Sequence, residues 1–238
     1  MNSGAKDITI AGERLQLLPQ RALYWPAMRL LVIADIHFGK AASFRAGGIP
    51  VPRGTTTANL DALDALVAQC DANGVIFLGD FLHARHAHAA ATMDAIARWR
   101  LRRPELALTL VRGNHDRHAG DPPSSLGIEV VDEPWRIGPF LFTHHPGAQS
   151  GGYVLAGHVH PVFRLATRAD ALRLPCFVFG ADAGMLPSFG AFTGGHPVTP
   201  DAGERLFVTA DEQVIEIPAR NTSAALSVKQ KKASPAAD

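Results

Sequence analysis

Three short apolar runs, each ending in residues able to hold a metal, constrain this chain more than any other feature. Leu30-Leu31-Val32-Ile33-Ala34 runs into Asp35-Ile36-His37, Val75-Ile76-Phe77-Leu78 into Gly79-Asp80, and Leu106 to Val111 into Gly113-Asn114-His115-Asp116. A continuous apolar run of this length, bounded by glycine and polar residues, reads as a strand buried on both faces. Helical periodicity fills the gaps. Thr55 to Cys70 sets Leu60, Leu63, Leu66 and Val67 on one face and opens with threonines that suit an N-cap, and a second helical stretch covers about Ala87 to Leu101. The order β-α-β-α-β predicts a parallel sheet with covering helices in the first half of the chain.

The flanking segments follow other patterns. Residues 7 to 18 alternate around Ala11-Gly12, as in a small hairpin. After Asp116 the helical periods stop. Short strands are expected at Ile128 to Val131, Phe140 to Thr143, Tyr153 to Ala156, Phe177 to Phe179 and Leu206 to Thr209, separated by glycine and proline, and predict a second, more mixed sheet packed on the first. With 238 residues and 47% hydrophobic content, one globular domain over residues 1–219 is expected. Residues 220–238, poor in large apolar groups and carrying Lys229, Lys231 and Lys232, read as a disordered tail.

Charge and composition exclude several classes. Lysine and arginine number 23 against 22 acidic residues, a net charge of +1, so no chain-wide field draws in a polyanion, and a nucleic-acid partner must use a local patch. No apolar run approaches the roughly 20 residues of a membrane span, and no leader pattern opens the chain. Only Cys70 and Cys176 occur, which excludes a disulfide framework and suits a reducing compartment. A cytoplasmic protein without membrane contact is expected.

The chemistry sits in the strand ends, which in open α/β sheets line the ligand crevice. Asp35 and His37, at i and i+2 of an extended segment, face one side together. His158-Val159-His160 repeats that spacing. Asp80, Asn114 and His144 close or follow three further strands. These seven residues supply two carboxylates, one amide oxygen and four imidazoles without a thiolate. Seven donors exceed the four of a tetrahedral zinc site but suit two ions. If Asp80 bridges, each ion has four protein ligands, and ions about 3.5–4 Å apart can share a water aimed at phosphorus. Manganese, iron, zinc and nickel all fit this mixture of nitrogen and oxygen, with manganese preferred.

Hydrolysis of a phosphate ester also needs a proton for the leaving alkoxide. His115, next to Asn114, is placed to supply it, and Asp116 to orient its ring through a hydrogen bond. Single histidines are more often structural than ligating. The tetrapeptide Gly-Asn-His-Asp, however, arises by chance in only on the order of one in a thousand chains of this length, and here it stands at a predicted strand end among three compatible motifs. His83 is assigned a supporting or substrate contact, His86 and His88 the surface, and His118, His145 and His196 loops.

Together these blocks, Asp35-x-His37, Gly79-Asp80, Gly113-Asn114-His115-Asp116, His144 and Gly157-His158-x-His160, resemble the calcineurin-like metallophosphoesterase superfamily in order and spacing. The resemblance implies an α/β fold, an α-β-β-α sandwich of two mixed sheets flanked by helices. It also implies one ion on Asp35, His37, Asp80 and His160, another on Asp80, Asn114, His144 and His158, and His115 as the catalytic histidine. The stretches RALYWP (21–26), ADIHFGKAASFRAGGIPVPRGT (34–55), GDFLH (79–83), GHVHP (157–161), LPCFVFG (174–180) and LPSFGAFTGG (186–195) are similar to the ligase-associated DNA damage response endonuclease group. That narrower likeness implies DNA as substrate and, as partners in the same repair system, an ATP-dependent DNA ligase, a helicase and an exonuclease.

Residue chemistry says less about the ester. Lys40, Arg45 and Arg53 are candidates for phosphate contacts, with a solvated helix face as the equal alternative. Phe38, Phe44, Phe189 and Phe192 suit either base stacking or the core. A nuclease acting on DNA is the leading expectation. A phosphatase or phosphodiesterase for small nucleotides or phosphoproteins is the second, and a non-catalytic scaffold of a repair complex is a third, against which the complete donor set argues.

Overall fold

The structure, a computed structural model, describes residues 4–51, 54–166, 171–191 and 193–218. Arg53, Phe192 and the tail from residue 220 lie outside the described residues, as does the His86 side chain.

The chain opens with β1 (Lys6–Ile10), β2 (Glu13–Leu18) and β3 (Ala22–Trp25), a meander that enters β4 (Leu30–Ala34) antiparallel. The β1–β2 turn falls on Ala11-Gly12, with φ of 49° and 84°, the doubly positive backbone of a tight hairpin. There follow α1 (Lys40–Ala46), α2 (Thr55–Cys70), β5 (Gly74–Leu78), α3 (Ala90–Arg102), β6 (Ala107–Val111), α4 (Asn114–Ala119) and β7 (Ile128–Val131). β4 to β7 are parallel neighbours, so the sheet β1-β2-β3-β4-β5-β6-β7 is mixed rather than purely parallel. The second sheet holds β8 (Trp135–Ile137), β9 (Phe140–Thr143), β10 (Tyr153–Ala156), β11 (Pro161–Ala166), β12 (Ala171–Phe179), β13 (Ala183–Met185), β14 (His196–Pro197), β15 (Arg205–Ala210) and β16 (Gln213–Ile217). Its order is β14-β11-β12-β13-β10-β9-β8, with β15 and β16 continuing from β12.

Alternation along the central strands explains why they are apolar throughout. In β4 and β5, Leu31, Ile33, Val75 and Phe77 face α2 and α3, packing with Leu60, Leu63, Leu66, Ile96 and Trp99. Val32, Ala34, Ile76 and Leu78 face the other way, onto Phe140, Phe142, Leu155, Phe177, Phe179 and Phe207 of the second sheet. Both faces are therefore dry, and a polar residue on either would lie buried without a partner. The fold is thus two mixed sheets flanked by helices.

Several sequence expectations need correction. Ile128–Val131 joins the first sheet beside β6 instead of the second, because the crossover through α4 returns it parallel to that edge. The threonines do not cap α2. Its N-cap is Gly54 at φ 89°, a backbone that glycine adopts without strain, and Thr55 is already helical. The expected helix from Ala87 begins at Ala90, after a single turn over Arg85–His88. His118 lies in α4 rather than a loop, and His196 in β14. Phe177 to Phe179 is the end of a strand that starts at Ala171.

Candidate metal centre

Register decides where the motifs meet. Ala34, Leu78 and Val111 are level in adjacent parallel strands, so Asp35, Gly79-Asp80 and Gly113-Asn114 all leave the first sheet at one edge. In the second sheet Thr143 and Ala156 are level, which releases His144 and Gly157-His158 together. The two edges face each other. A parallel bridge between Ala34 and Ser188, and the Phe189 N–H donated to the Ala34 carbonyl at 2.8 Å, tie the sheets there.

The local backbone differs from the extended segment expected for Asp35-Ile36-His37. Asp35, His37, Asp80, His158 and His160 all have positive φ, between 48° and 70°. For residues with a Cβ this conformation is uncommon and costs about 1–2 kcal/mol each. Extended alternation would hold Asp35 and His37 on one side of a strand. Left-handed turns instead fold the chain back after β4, β5 and β10 and aim the side chains of these residues inward. Strain gathered at a single site is a mark of function.

The donors form two groups that share Asp80. Asp35, His37, Asp80 and His160 each bring an atom within 4.8 Å of the others. His160 Nε2 stands 3.4 Å from Asp35 Oδ1, and His37 Nε2 3.6 Å from Asp80 Oδ2. On the other side, His144 Nε2 lies 2.8 Å from Asn114 Oδ1, 3.0 Å from His158 Nδ1 and 3.4 Å from Asp80 Oδ1. Asp80 thus turns one oxygen to each group. Burial lowers the pKa of His37 and His158 and so favours the neutral imidazole, the ligating form. Burial also opposes protonation of His160, but the neighbouring Asp35 carboxylate outweighs it and leaves that pKa raised.

Whether this site fits a metal is decided by its orphaned atoms. Asp35 Oδ1 and His37 Nε2 are buried without a hydrogen-bond partner. Such groups normally lose about 1–3 kcal/mol unless something satisfies them. Asp35 Oδ2 is satisfied, accepting the His158 N–H at 2.9 Å. The chain therefore orients the carboxylate through one oxygen and presents the other to the group of donors, as a divalent cation requires. His144 is held likewise, with Nδ1 donating to the Leu78 carbonyl at 3.0 Å and Nε2 left for the site.

Close approach explains the glycines before Asp80, Asn114 and His158. A Cβ on Gly113 would lie 2.5 Å from Asp80 Oδ1, one on Gly157 2.8 Å from Asp35 Oδ2, and one on Gly79 would overlap the His144 ring. These glycines leave room for the ligand of a neighbouring loop.

His115 borders both groups. Its backbone N–H donates to Asp80 Oδ1 at 3.0 Å, and its Nε2 lies 3.9 Å from Asp80 Oδ2. Its ring is oriented by the His83 carbonyl, which accepts from Nδ1 at 2.7 Å. Asp116 does not orient it, contrary to the sequence reading. That carboxylate is fully buried and accepts the N–H groups of Phe81, Leu82 and Gly113 at 2.9, 3.2 and 2.9 Å, which locks the Asp80 loop onto the start of α4. Its role is therefore to hold the loop.

The substrate-side candidates fall on one flank. His83 stacks on His115 with centroids 4.9 Å apart, and its pKa is pushed down to about 4 by burial and by nearby Lys40. Lys40 Nζ donates to the Thr193 carbonyl at 3.3 Å and stands over the Phe44 ring. Arg45 donates to the Val51 carbonyl at 3.5 Å. Phe38 and Phe189 are core residues, while Phe44 is half-buried.

Two residues escaped sequence reasoning. Glu133 accepts the N–H groups of His144 and His145 at 2.8 and 3.0 Å, and the His145 ring at 2.7 Å. It thereby fixes the loop that carries His144. His145, expected in a plain loop, packs its ring 4.7 Å from that of His158. No motif marks Glu133, which stands 11 residues before His144 on the approach to β8. His88, expected on the surface, is half-buried with Nε2 3.0 Å from the Ala119 carbonyl.

Comparison with known proteins agrees with this geometry. Residues 28–174 match the model of the calcineurin-like phosphoesterase family. The crystal structure of Pseudomonas putida nuclease MPE is similar with TM-score 0.81 and 48% identity, over 90% of this chain and 100% of that one. The Escherichia coli phosphoesterase Yfce aligns over 79% of this chain and 97% of its own, with 16% identity and TM-score 0.41, too distant to carry an argument. A search of curated protein sequences gives no match. Strand-end donors, orphaned ligand atoms and the matched sequence together place the chain in the calcineurin-like phosphoesterase family, as a metal-dependent phosphoester hydrolase.

Proposed function

We propose that the protein is a two-metal nuclease that hydrolyses phosphodiesters of DNA, with manganese as the favoured ion. The observation that carries the reading is Asp80, whose two oxygens face two separate donor groups. Asp35, His37, Asp80 and His160 would hold one ion, and Asp80, Asn114, His144 and His158 the other. Divalent ions bound there supply charge neutralisation on the phosphoryl oxygens and acidify a water nucleophile. His115, with its Nδ1 proton engaged by the His83 carbonyl, directs Nε2 toward the reacting group and delivers the proton that the leaving alkoxide needs. Lys40 adds positive charge on the flank where the rest of the substrate lies.

The nuclease from Pseudomonas putida, to which nearly the whole chain is similar, supports the nuclease part of this reading, and the sequence resemblance to the ligase-associated DNA damage response endonuclease group supplies DNA as the polymer. A role in DNA repair beside an ATP-dependent ligase, a helicase and an exonuclease belongs to the same proposal. The test incubates manganese-loaded protein with single-stranded DNA, duplex DNA and bis-(p-nitrophenyl) phosphate, with Asp80→Ala as control. Cleavage of DNA and of the small diester, both lost in the control, is the expected result. Turnover of the small diester with no DNA cleavage under any metal refutes the nuclease reading, and equal activity in the control refutes the metal mechanism.

A further inference from the structure

Arg21 is a cation without a partner among the described residues. It sits in the β2–β3 turn at φ 64°, half-buried, and among the described residues its guanidinium has no hydrogen bond or ion pair. Burial lowers its pKa, and no acidic group offsets that effect. A desolvated guanidinium with five donors and no acceptor is an unfavourable arrangement unless an anion completes it.

The cavity it lines approaches the metal centre at Asn59. Arg21, Ala58, Asn59, Phe189 and Ala191 border a depression of about 480 Å³. Ala191 also borders a second depression of about 450 Å³, shared with Lys40, Phe44, Thr193 and Gly194. Both volumes are ligand-sized, on the scale of roughly 300–1,000 Å³. Asn59 links this groove to the centre. Its amide donates to the Ile36 carbonyl, between Asp35 and His37, at 3.3 Å and accepts the Ala191 N–H at 3.3 Å. A small pocket lined by His37, Lys40, Asn59 and Thr193 adjoins both depressions, so the path runs from His37 past Lys40 and the half-buried Phe44 ring, along Gly194, Thr193 and Ala191, to Arg21. Asp211 and Glu212 stand on the wall of its far end, and neither pairs with Arg21.

We infer that this groove is the track for the polynucleotide strand flanking the scissile ester, with the Arg21 guanidinium on one of its phosphodiester groups and Phe44 stacked on a base. The inference rests on the nuclease reading above and adds to it the path of the strand. A groove that offers the Lys40 ammonium, an aromatic ring and an unpaired guanidinium suits single strands, whose bases are free to stack. A small phosphate ester would occupy the metal centre and leave Arg21 unsatisfied.

The test compares wild type with Arg21→Gln and Arg21→Lys on a single-stranded oligonucleotide and on bis-(p-nitrophenyl) phosphate. Loss of one charged contact should raise KM for the oligonucleotide by about tenfold, with kcat and the small-diester kinetics unchanged, and Arg21→Lys should recover part of it. The slope of log KM against log salt should become shallower by about 0.7. An unchanged oligonucleotide KM in Arg21→Gln overturns the inference while the nuclease reading stands. Parallel losses on both substrates with a lower melting temperature also overturn it, by giving Arg21 a structural role. Failure of the wild type to cleave any oligonucleotide while it turns over the small diester overturns both. Should Arg21→Gln not fold, wild type alone decides. Its kcat/KM should climb as strands lengthen beyond a dinucleotide, and a flat length series overturns the track.

Discussion

Gly113→Ala isolates the steric logic of the metal centre. The residue has φ −91° and ψ 178°, which any amino acid adopts, so the substitution introduces no backbone strain. By itself, replacing glycine would stabilise the fold by about 0.4–1 kcal/mol through the unfolded chain. Opposing this, the new methyl would lie 2.5 Å from Asp80 Oδ1, 2.6 Å from the Asp80 nitrogen and 3.0 Å from the Gly79 Cα. The last two are backbone atoms that cannot swing aside. Overpacking of this kind costs about 1–3 kcal/mol, so the steric effect wins and a net loss of about 1–2 kcal/mol remains. Melting should fall by about 2–4 °C per kcal/mol, read by calorimetry on metal-free protein. Asp80 Oδ1 also accepts the His115 N–H and faces His144, so its displacement disturbs the carboxylate proposed to bridge the two ions. Manganese affinity, read by titration calorimetry, should drop about 10–100-fold. Gly12→Ala separates the two contributions. There φ is 84° and a Cβ meets no atom within 4 Å, so about 1–2 kcal/mol of strain should appear with unaltered metal affinity. A Gly113→Ala protein that melts at or above wild type and titrates manganese normally would refute the reasoning.

Three further outcomes are expected. His115→Ala should lower kcat on bis-(p-nitrophenyl) phosphate by about 10²–10⁴-fold while metal content, measured by elemental analysis, stays at the wild-type level. Chelation should abolish hydrolysis and lower the melting temperature, with about 2.7 kcal/mol regained when manganese is restored at a hundred times its Kd. Asp64 ties α2 to α3, accepting from Trp99 and from Arg103 at 3.2, 2.8 and 3.1 Å, and the Arg103 hydrogen bonds hold its pKa below 3.8. A depressed carboxylate pKa contributes stability above the unfolded value and loses it as pH falls through the folded one. In urea titrations of metal-free protein, Asp64→Asn should therefore cost about 0.5–1 kcal/mol at neutral pH, and the gap should close below pH 3.8.

The sequence by itself determined the central strands and the donor inventory. A strand dry on both faces must be apolar at every position, so Leu30–Ala34 and Val75–Leu78 were legible without a fold, and the donors at their ends stood out against that background. The helix over Thr55–Cys70 was equally plain from its apolar stripe. Only tertiary structure decided how the donors converge. The pairing of Ala34, Leu78 and Val111 sets one edge, and the left-handed turns at Asp35, His37, Asp80, His158 and His160 aim the side chains into it. Local propensity opposes those turns, so no pattern in the chain announces them. It also decided that Asp116 anchors backbone instead of orienting His115, because two of the three N–H groups it accepts come from Phe81 and Leu82, more than thirty residues away in sequence. Sheet membership of Ile128–Val131 and the role of Glu133 follow the same rule. Short segments carry their own periodicity, but which neighbour they meet depends on contacts made across the whole chain.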